Sequence, residues 1–172
     1  VAKDGRIDPV YMRSQADYHF TLGDSYRLEG NSARAIEEYK TTLIYDPDSV
    51  IVRLHLATEY VKMGLLSEAV EQSEIAVKQN PKSEEARLLL GGLYSSMKMY
   101  DFAQAQYEMI LKYDPDNSDA PLFIGALLAE QEKFAEAVKH FEKLSRKAKS
   151  ADKKHLYEYY IGRIYVERGE NF

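Results

Sequence analysis

The four histidines are the side chains of this sequence best suited to acid–base catalysis or to metal binding. No two of them stand three or four positions apart, the spacing that places two ligands on one face of a helix. Single histidines at unrelated positions are more often surface or packing residues than ligands. We therefore interpret all four as structural residues: His19, His55, His140 and His155.

Acid pairs and a glycine pair are the next candidates for chemistry. Glu84-Glu85 are adjacent, and adjacent residues of a helix point in different directions, so they are not poised as a general acid and base. Gly91-Gly92 lacks the further glycines or the lysine of a phosphate-binding loop. Gly92 either leaves room for a ligand or is tolerated in a helix at a cost of about 1 kcal/mol. The absence of cysteine excludes disulfides, thiolate chemistry and cysteine-ligated metals. From all these candidates together we expect no catalytic residue, no metal and no cofactor.

A basic cluster occupies residues 143–154, which hold six basic side chains and one acidic side chain. Such a cluster suits an acidic partner or a phosphate. The favoured interpretation is a helix end, where the dipole attracts cations, followed by a solvated loop. No aromatic residues alternate with these cations, as they do where proteins stack nucleotide bases. The cations are Lys143, Arg146, Lys147, Lys149, Lys153 and Lys154.

The charge and length of the chain limit its function further. The chain has 172 residues, with 28 acidic and 23 basic side chains and a net charge of −5, which argues against a general nucleic-acid binder. The longest apolar run, at residues 122–129, is far shorter than the ~20 residues of a membrane span. Residues 1–10 do not resemble a signal peptide. We expect a soluble protein, cytoplasmic or, if a leader has been removed, exported or periplasmic.

The helices that would position these side chains are indicated by a sequence repeat with a period of 34 residues. Pro47, Pro81 and Pro115 are spaced by this period, each just after a polar residue that precedes a helix break. Counting back from each proline, small residues recur at two positions and a large aromatic at a third. These positions are Gly23, Ala57, Gly91 and Gly125, then Ala35, Ala69, Ala103 and Ala137, then Tyr26, Tyr60 and Tyr94, with Leu128 in the fourth unit.

Each period contains two stretches with the apolar spacing of amphipathic helices. Turns inside the units carry Gly30 and Gly64, and Gly169 holds the corresponding place near the end of the chain. The pattern predicts about nine helices with caps at Asp8, Ser32, Ser49, Ser67, Ser83, Asp101 and Ser118. Asp8-Pro9 is expected to begin a long first helix.

This pattern resembles the tetratricopeptide repeat family, with its W-x2-L-G-x2-Y, A-x3-F and P positions at a period of 34. Ser73 is one departure, because it replaces the large apolar residue of the second unit. The resemblance implies an all-α solenoid of stacked antiparallel helix pairs with a right-handed superhelix. The expected organisation is an extension at 1–15, four repeats at 16–49, 50–83, 84–117 and 118–151, and the first helix of a partial fifth repeat at 152–172.

In this family the concave groove is lined by set positions of each unit's first helix, and it binds peptides or partner helices. Transferred position by position, the resemblance implies these candidate groove residues: Asp17, Phe20, Asp24, Arg27, Ile51, Leu54, Thr58, Val61, Lys62, Glu85, Leu88, Gly92, Ser95, Ser96, Asp119, Leu122, Ala126, Glu130, Tyr159 and Arg163.

The candidate groove is aliphatic on its floor and acidic at its edge. Leu54 and Leu88 are floor residues of consecutive units, and we expect both to be exposed when no partner is bound. Asp17, Glu85 and Asp119 stand at one position of their units. This lining suits a protein or peptide that is apolar with basic edges, and neither nucleic-acid binding nor membrane insertion is expected. The alternative is that the aliphatic side chains only pack against neighbouring units.

One subgroup of the family captures the terminal carboxylate of chaperones with lysine, arginine and asparagine side chains. The corresponding positions here are Phe20, Asp24, His55, Glu85 and Leu89. None of these residues is a lysine or an arginine, and the two acids would repel a carboxylate. Binding of chaperone tails is therefore disfavoured.

The last helix carries more apolar side chains than one neighbouring unit can cover. Tyr157, Tyr160 and Ile164 are expected to await a second helix. Either the native chain continues past Phe172, or these residues form the interface of a homodimer.

Together these observations predict a non-enzymatic scaffold for protein–protein interactions, acting as an assembly or adaptor factor. The alternative is a structural module that self-associates, as a homo-oligomer or as part of a longer solenoid. A third interpretation is the regulatory or substrate-selecting arm of an enzyme whose catalytic part lies outside these residues.

Overall fold

The computed structural model describes residues 8–169, and every regular element in this range is an α-helix. The predicted all-α repeat fold and the predicted number of helices are confirmed. Predictions for residues 1–7 and for Phe172 lie outside the described residues. The helices are α1 (Pro9–Leu28), α2 (Ser32–Tyr45), α3 (Val50–Lys62), α4 (Leu66–Gln79), α5 (Glu84–Ser96), α6 (Tyr100–Tyr113), α7 (Ala120–Glu130), α8 (Phe134–Lys147) and α9 (Ala151–Glu167).

The described helices form two compact units, one ending at Met99 and the other beginning at Tyr100. In the first unit α1 packs on α2, α2 on α3, α3 on α4 and α4 on α5. In the second unit α6 packs on α7, α7 on α8 and α8 on α9. Each helix therefore packs mainly on its neighbours in sequence, as in other repeat proteins.

The turns after α1, α3, α5 and α7 share one backbone geometry. In the first, the Asn31 N–H donates to the Tyr26 carbonyl at 2.8 Å, and in the fourth the Lys133 N–H donates to the Leu128 carbonyl at 2.9 Å. Both bonds close a helix end of the Schellman type, which needs a left-handed residue. That residue is Gly30 at φ 77°, Gly64 at 74°, Lys98 at 59° and Glu132 at 58°.

Local capping was predicted correctly only in part. Asp8 accepts a backbone N–H of α1 at 2.9 Å, and Ser83 accepts one of α5 at 3.2 Å, as predicted. After the left-handed turn residue the chain returns to helical geometry within two residues. The second helix of each pair therefore begins at or before the residue that was predicted to cap it. The caps predicted at Ser32, Ser67, Asp101 and Ser118 are wrong, because Ser32, Ser67 and Asp101 lie inside helices and α7 begins after Asp119.

Small residues allow the paired helices to approach closely. A Cβ atom built on Gly23 in α1 would lie 2.8 Å from the ring of Tyr39 in α2. A Cβ atom built on Gly125 in α7 would overlap the ring of Phe141 in α8. The recurring small residues thus make room for large aromatic rings, as their positions in the repeat predict.

Arginines at corresponding positions hold the connections between helix pairs. The Arg53 guanidinium donates to the Pro47 carbonyl at 2.7 Å, and Arg87 donates to the Pro81 carbonyl at 2.8 Å. Arg87 is buried. A charge-assisted bond of this kind satisfies a carbonyl that no helix can use.

Candidate functional site

A shallow pocket of about 510 Å³ opens between α3 and α5. It is lined by residues at corresponding positions of α3 and α5. Leu54 and Leu88 are one repeat period apart, and so are His55 and Leu89. Consecutive first helices therefore present the same face to the pocket. The lining residues are Leu54, His55, Thr58, Glu84, Glu85, Leu88 and Leu89.

The floor of this pocket is apolar, but only part of it is accessible. Leu88 is half-buried, so it remains available to a partner. Leu54 is 4% exposed and packs with Ala76 and Ala86, two side chains small enough to let α4 and α5 approach it. The prediction that Leu54 is an exposed groove residue is therefore wrong, although the residue does line the pocket.

The edge of the pocket is acidic. Glu84 and Glu85 lie exposed in the first turn of α5, where the positive end of the helix dipole stabilises carboxylates. Among the described residues, Glu85 has no cation within ion-pair distance. A cationic side chain of a partner would therefore find an available carboxylate directly beside apolar surface.

Asp24 lies beside the pocket residue His55 and is already held by neighbouring donors. The Tyr39 hydroxyl donates to it at 2.6 Å and Arg27 Nε at 3.0 Å, while His55 Nδ1 lies 3.2 Å away without hydrogen-bond geometry. Burial alone would raise the pKa of the Asp24 carboxyl, but the bonds from Tyr39 and Arg27 outweigh it and lower the pKa. Phe20 stacks on His55 at 5.5 Å. Asp24 and Arg27, both predicted groove residues, are thus engaged with each other.

The remaining predicted groove residues of the first unit are exposed or half-buried. Lys62 already has an internal partner, because its ammonium donates at 2.6 Å to the fully buried carboxylate of Glu59. The same carboxylate also accepts a hydrogen bond from Ser32 at 2.6 Å. Thr58 lines the pocket. The others lie on the surfaces of α1, α3 and α5 outside it: Asp17, Ile51, Val61, Gly92, Ser95 and Ser96.

In the second unit a pocket of about 290 Å³ lies between α7 and α9. It brings together the predicted residues Ala126, Glu130 and Arg163. Tyr159 is exposed on α9 and lines a separate shallow surface with Arg163. Leu122 packs into the core around Phe141, and Asp119 stands exposed at the start of α7.

The residues predicted to mediate self-association are largely buried. Tyr157 is 5% exposed and Ile164 is 4% exposed, because both pack against Ala137, Val138 and Phe141. Tyr160 is half-buried and stacks on the Phe141 ring at 5.3 Å. The prediction that these residues await a second helix is therefore wrong, since α8 supplies their packing partners.

The predicted groove omits three residues that line the first pocket, His55, Glu84 and Leu89. Leu89 stands one repeat period after His55, and the shared face of Leu54 and His55 could have revealed it. Glu84 gave no such signal, because its place depends on where α5 begins. Within residues 8–169 no three His, Asp or Glu side chains cluster as metal ligands. None of the described helices combines the length and the hydropathy of a membrane span.

Residues 99–152 match the family model of the tetratricopeptide repeat. No curated protein matches the sequence significantly. The crystal structure of MamA shares the fold with a TM-score of 0.72 at 22% identity, covering 90% of this chain and 83% of MamA. A tetratricopeptide repeat protein from Parabacteroides merdae has a TM-score of 0.75 at 16% identity, covering 91% of this chain and 62% of that one.

The first tetratricopeptide repeat domain of Spaghetti (RPAP3), solved with the HSP90 peptide SRMEEVD, has a TM-score of 0.62 at 20% identity. It covers 69% of this chain and 97% of that domain. Likeness at such identities shows the fold, and the residues of the repeat register agree with it. The family-model match over residues 99–152, the repeat register and the shared helical fold support the assignment of this chain to the tetratricopeptide repeat family.

Proposed function

We propose that this chain is a non-enzymatic scaffold that binds a peptide or helix of a partner protein in the pocket between α3 and α5. The observation that carries the proposal is the combination of half-buried Leu88 with exposed Glu84 and Glu85 around one opening. An apolar surface beside like charges is typical of a recognition site rather than of a packed core.

The partner fits this pocket if it is apolar with basic edges. Its apolar side chains would cover Leu88 and Leu89, and its lysines or arginines would pair with the two glutamates. The net charge of −5 adds attraction at long range. In this proposal the chain acts as an adaptor or assembly factor built of the predicted repeats.

Acidic peptides are the less suitable class. The RPAP3 domains among the structural neighbours were solved with the chaperone peptides SRMEEVD and SGPTIEEVD, which end in acidic residues. In this chain Glu85 stands at one of the positions where that kind of site needs a cation, and His55 beside it is stacked on Phe20. Repulsion by Glu84 and Glu85 therefore favours basic partners. The self-association alternative has less support, because two of its three residues, Tyr157 and Ile164, are buried.

The proposal is tested by fluorescence anisotropy with a labelled peptide that repeats Lys-Leu-Leu-Arg. Wild type should bind it, and Glu84→Lys with Glu85→Lys should weaken binding by about tenfold or more. The matched control is Glu68→Lys with Glu71→Lys, which changes the charge equally on the exposed face of α4.

The control variant should bind within about twofold of wild type, with both variants equally helical by circular dichroism. Leu88→Ser should weaken binding without altering the charge. Equal losses in the two charge variants would mean that only overall charge matters, and the pocket assignment would then fail.

A further inference from the structure

Another pocket, of about 460 Å³, lies at the ends of the helices in the second unit. Leu111, Pro121 and Leu144 contribute to an apolar floor, and the connections after α6 and α8 close its sides. This pocket faces the connections between helix pairs and is formed by residues other than the predicted groove residues. The proposal for the α3–α5 pocket does not use it.

The rim of this end pocket is basic. Lys147, Lys149 and Lys153 line it, and none of them has a carboxylate within ion-pair distance among the described residues. Lys153 Nζ reaches only the backbone carbonyl of Asp116, at 3.4 Å. Asp116 is the one acidic residue among those that line the pocket, against three lysines.

The helix dipole explains only part of this cluster. Arg146 and Lys147 lie in the last turn of α8, where cations are favoured. Lys153 lies in the first turn of α9, where the dipole disfavours a cation, and Lys149 stands between the helices. Nearby cations pair with acids, since Arg146 bonds Glu142 at 3.1 Å and Lys154 lies 3.9 Å from Glu158. The three rim lysines thus remain available to an external anion.

We propose that the end pocket binds an acidic segment of a partner protein, with carboxylates on the three lysines and an apolar side chain on the floor. Two observations favour a protein segment over nucleic acid. The net charge of −5 repels a long polyanion, and the one aromatic residue of the lining, Tyr157, is 5% exposed and offers no ring for stacking. The apolar floor requires a side chain that a phosphate or a sugar lacks.

The test uses the full chain and a fluorescein-labelled peptide that repeats Asp-Leu-Glu, read by anisotropy. Lys147→Glu with Lys153→Glu should weaken binding by about tenfold or more. The matched control is Lys139→Glu with Lys143→Glu, which changes the charge equally on exposed positions of α8 outside the pocket and should bind within about threefold of wild type. A peptide with Ser in place of Leu should bind more weakly than the Leu peptide. Circular dichroism should show equal helicity for both variants.

Several results would overturn the proposal: no binding to wild type, equal losses in the two variants, or equal affinity for the Ser peptide. Competition by a heparin fragment as strong as by the peptide would indicate a general polyanion site. Sedimentation that shows a wild-type dimer abolished by Lys147→Glu with Lys153→Glu would assign the surface to a second copy. The Glu84→Lys with Glu85→Lys variant should not weaken binding of the acidic peptide, so this test is independent of the α3–α5 pocket.

Discussion

Helix pairs α3–α4 and α7–α8 stand two repeat periods apart and differ where their helices cross. In α3–α4 the crossing positions hold Ala57 and Ser73, both completely buried. In α7–α8 they hold Gly125 and Phe141. Compared with α7–α8, the pair α3–α4 thus has a larger residue on its first helix and a smaller residue on its second helix. Where the second helix carries a large ring, the first helix thus has a glycine, which leaves space for that ring at the crossing.

The largest expected effect comes from breaking this balance in α3–α4. Ser73→Phe should lower the free energy of unfolding by about 3 kcal/mol, because the ring has no space beside Ala57. Adding Ala57→Gly should recover about 1–2 kcal/mol, although glycine itself costs about 1 kcal/mol in a helix. Urea unfolding of the four combinations measures this coupling. Strictly additive effects would mean that the two positions do not share one volume.

The next effect is the converse change in α7–α8. Gly125→Ala should cost about 2 kcal/mol, because the new methyl group overlaps the Phe141 ring and that ring is fixed by Tyr160 and Tyr157. Gly92→Ala is the control, since a Cβ atom there meets nothing within 4 Å. The control should gain about 0.5–1 kcal/mol in urea unfolding. A neutral Gly125→Ala would show that the ring moves freely.

A smaller effect is expected at the turns of the same two pairs. Gly64 and Glu132 both have left-handed backbones, at φ 74° and 58°, and only glycine adopts this conformation without strain. Glu132→Gly should therefore raise the free energy of unfolding by about 0.5–1 kcal/mol, and Gly64→Ala should lower it by about 1 kcal/mol. Thermal melts of both variants measure the two changes. A loss of stability in Glu132→Gly would mean that its side chain contributes more than the backbone strain costs.

The smallest effect is a difference in pH dependence. His140 of α8 corresponds to Gln72 of α4, and its Nε2 lies 2.8 Å from the Pro121 carbonyl. Burial lowers the pKa of His140, and Lys143 lowers it further, although the bond to Pro121 opposes both. The unfolded chain therefore binds a proton near pH ~6.5 while the folded protein does not, so stability falls as the pH decreases below that value.

His140→Gln should flatten this pH dependence, because glutamine does not titrate and also occupies the corresponding position in α4. Urea unfolding at about pH 7.5 and about pH 5.5 measures the slope for both proteins. An unchanged slope would assign the pH dependence to other groups.

Much of the fold was predictable because its signals are local. Pro47, Pro81 and Pro115 mark the period, and Gly30 and Gly64 mark turns whose backbone no other residue adopts freely. The two turns at Lys98 and Glu132 have the same geometry without glycine, so in the sequence only their place in the 34-residue repeat indicates them.

The candidate site was predictable only in outline. The register places Leu54 beside His55 and Leu88 beside Leu89, so it predicts that these residues share a helix face. It does not show that Ala76 and Ala86 bury Leu54, or that Phe141 and Val138 cover Tyr157 and Ile164. Burial depends on the sizes of side chains that the neighbouring helix brings close.

By itself, the sequence determined the helices, their order and the spacing of the turns, because hydrophobic periodicity and glycine act within one or two helical turns. Tertiary structure decided which apolar residues remain accessible, because that depends on packing across helices. It also decided which charges remain available. Among the described residues Glu85 has no ion pair, whereas Asp24 is held by Arg27 and by Tyr39, which lies on the next helix.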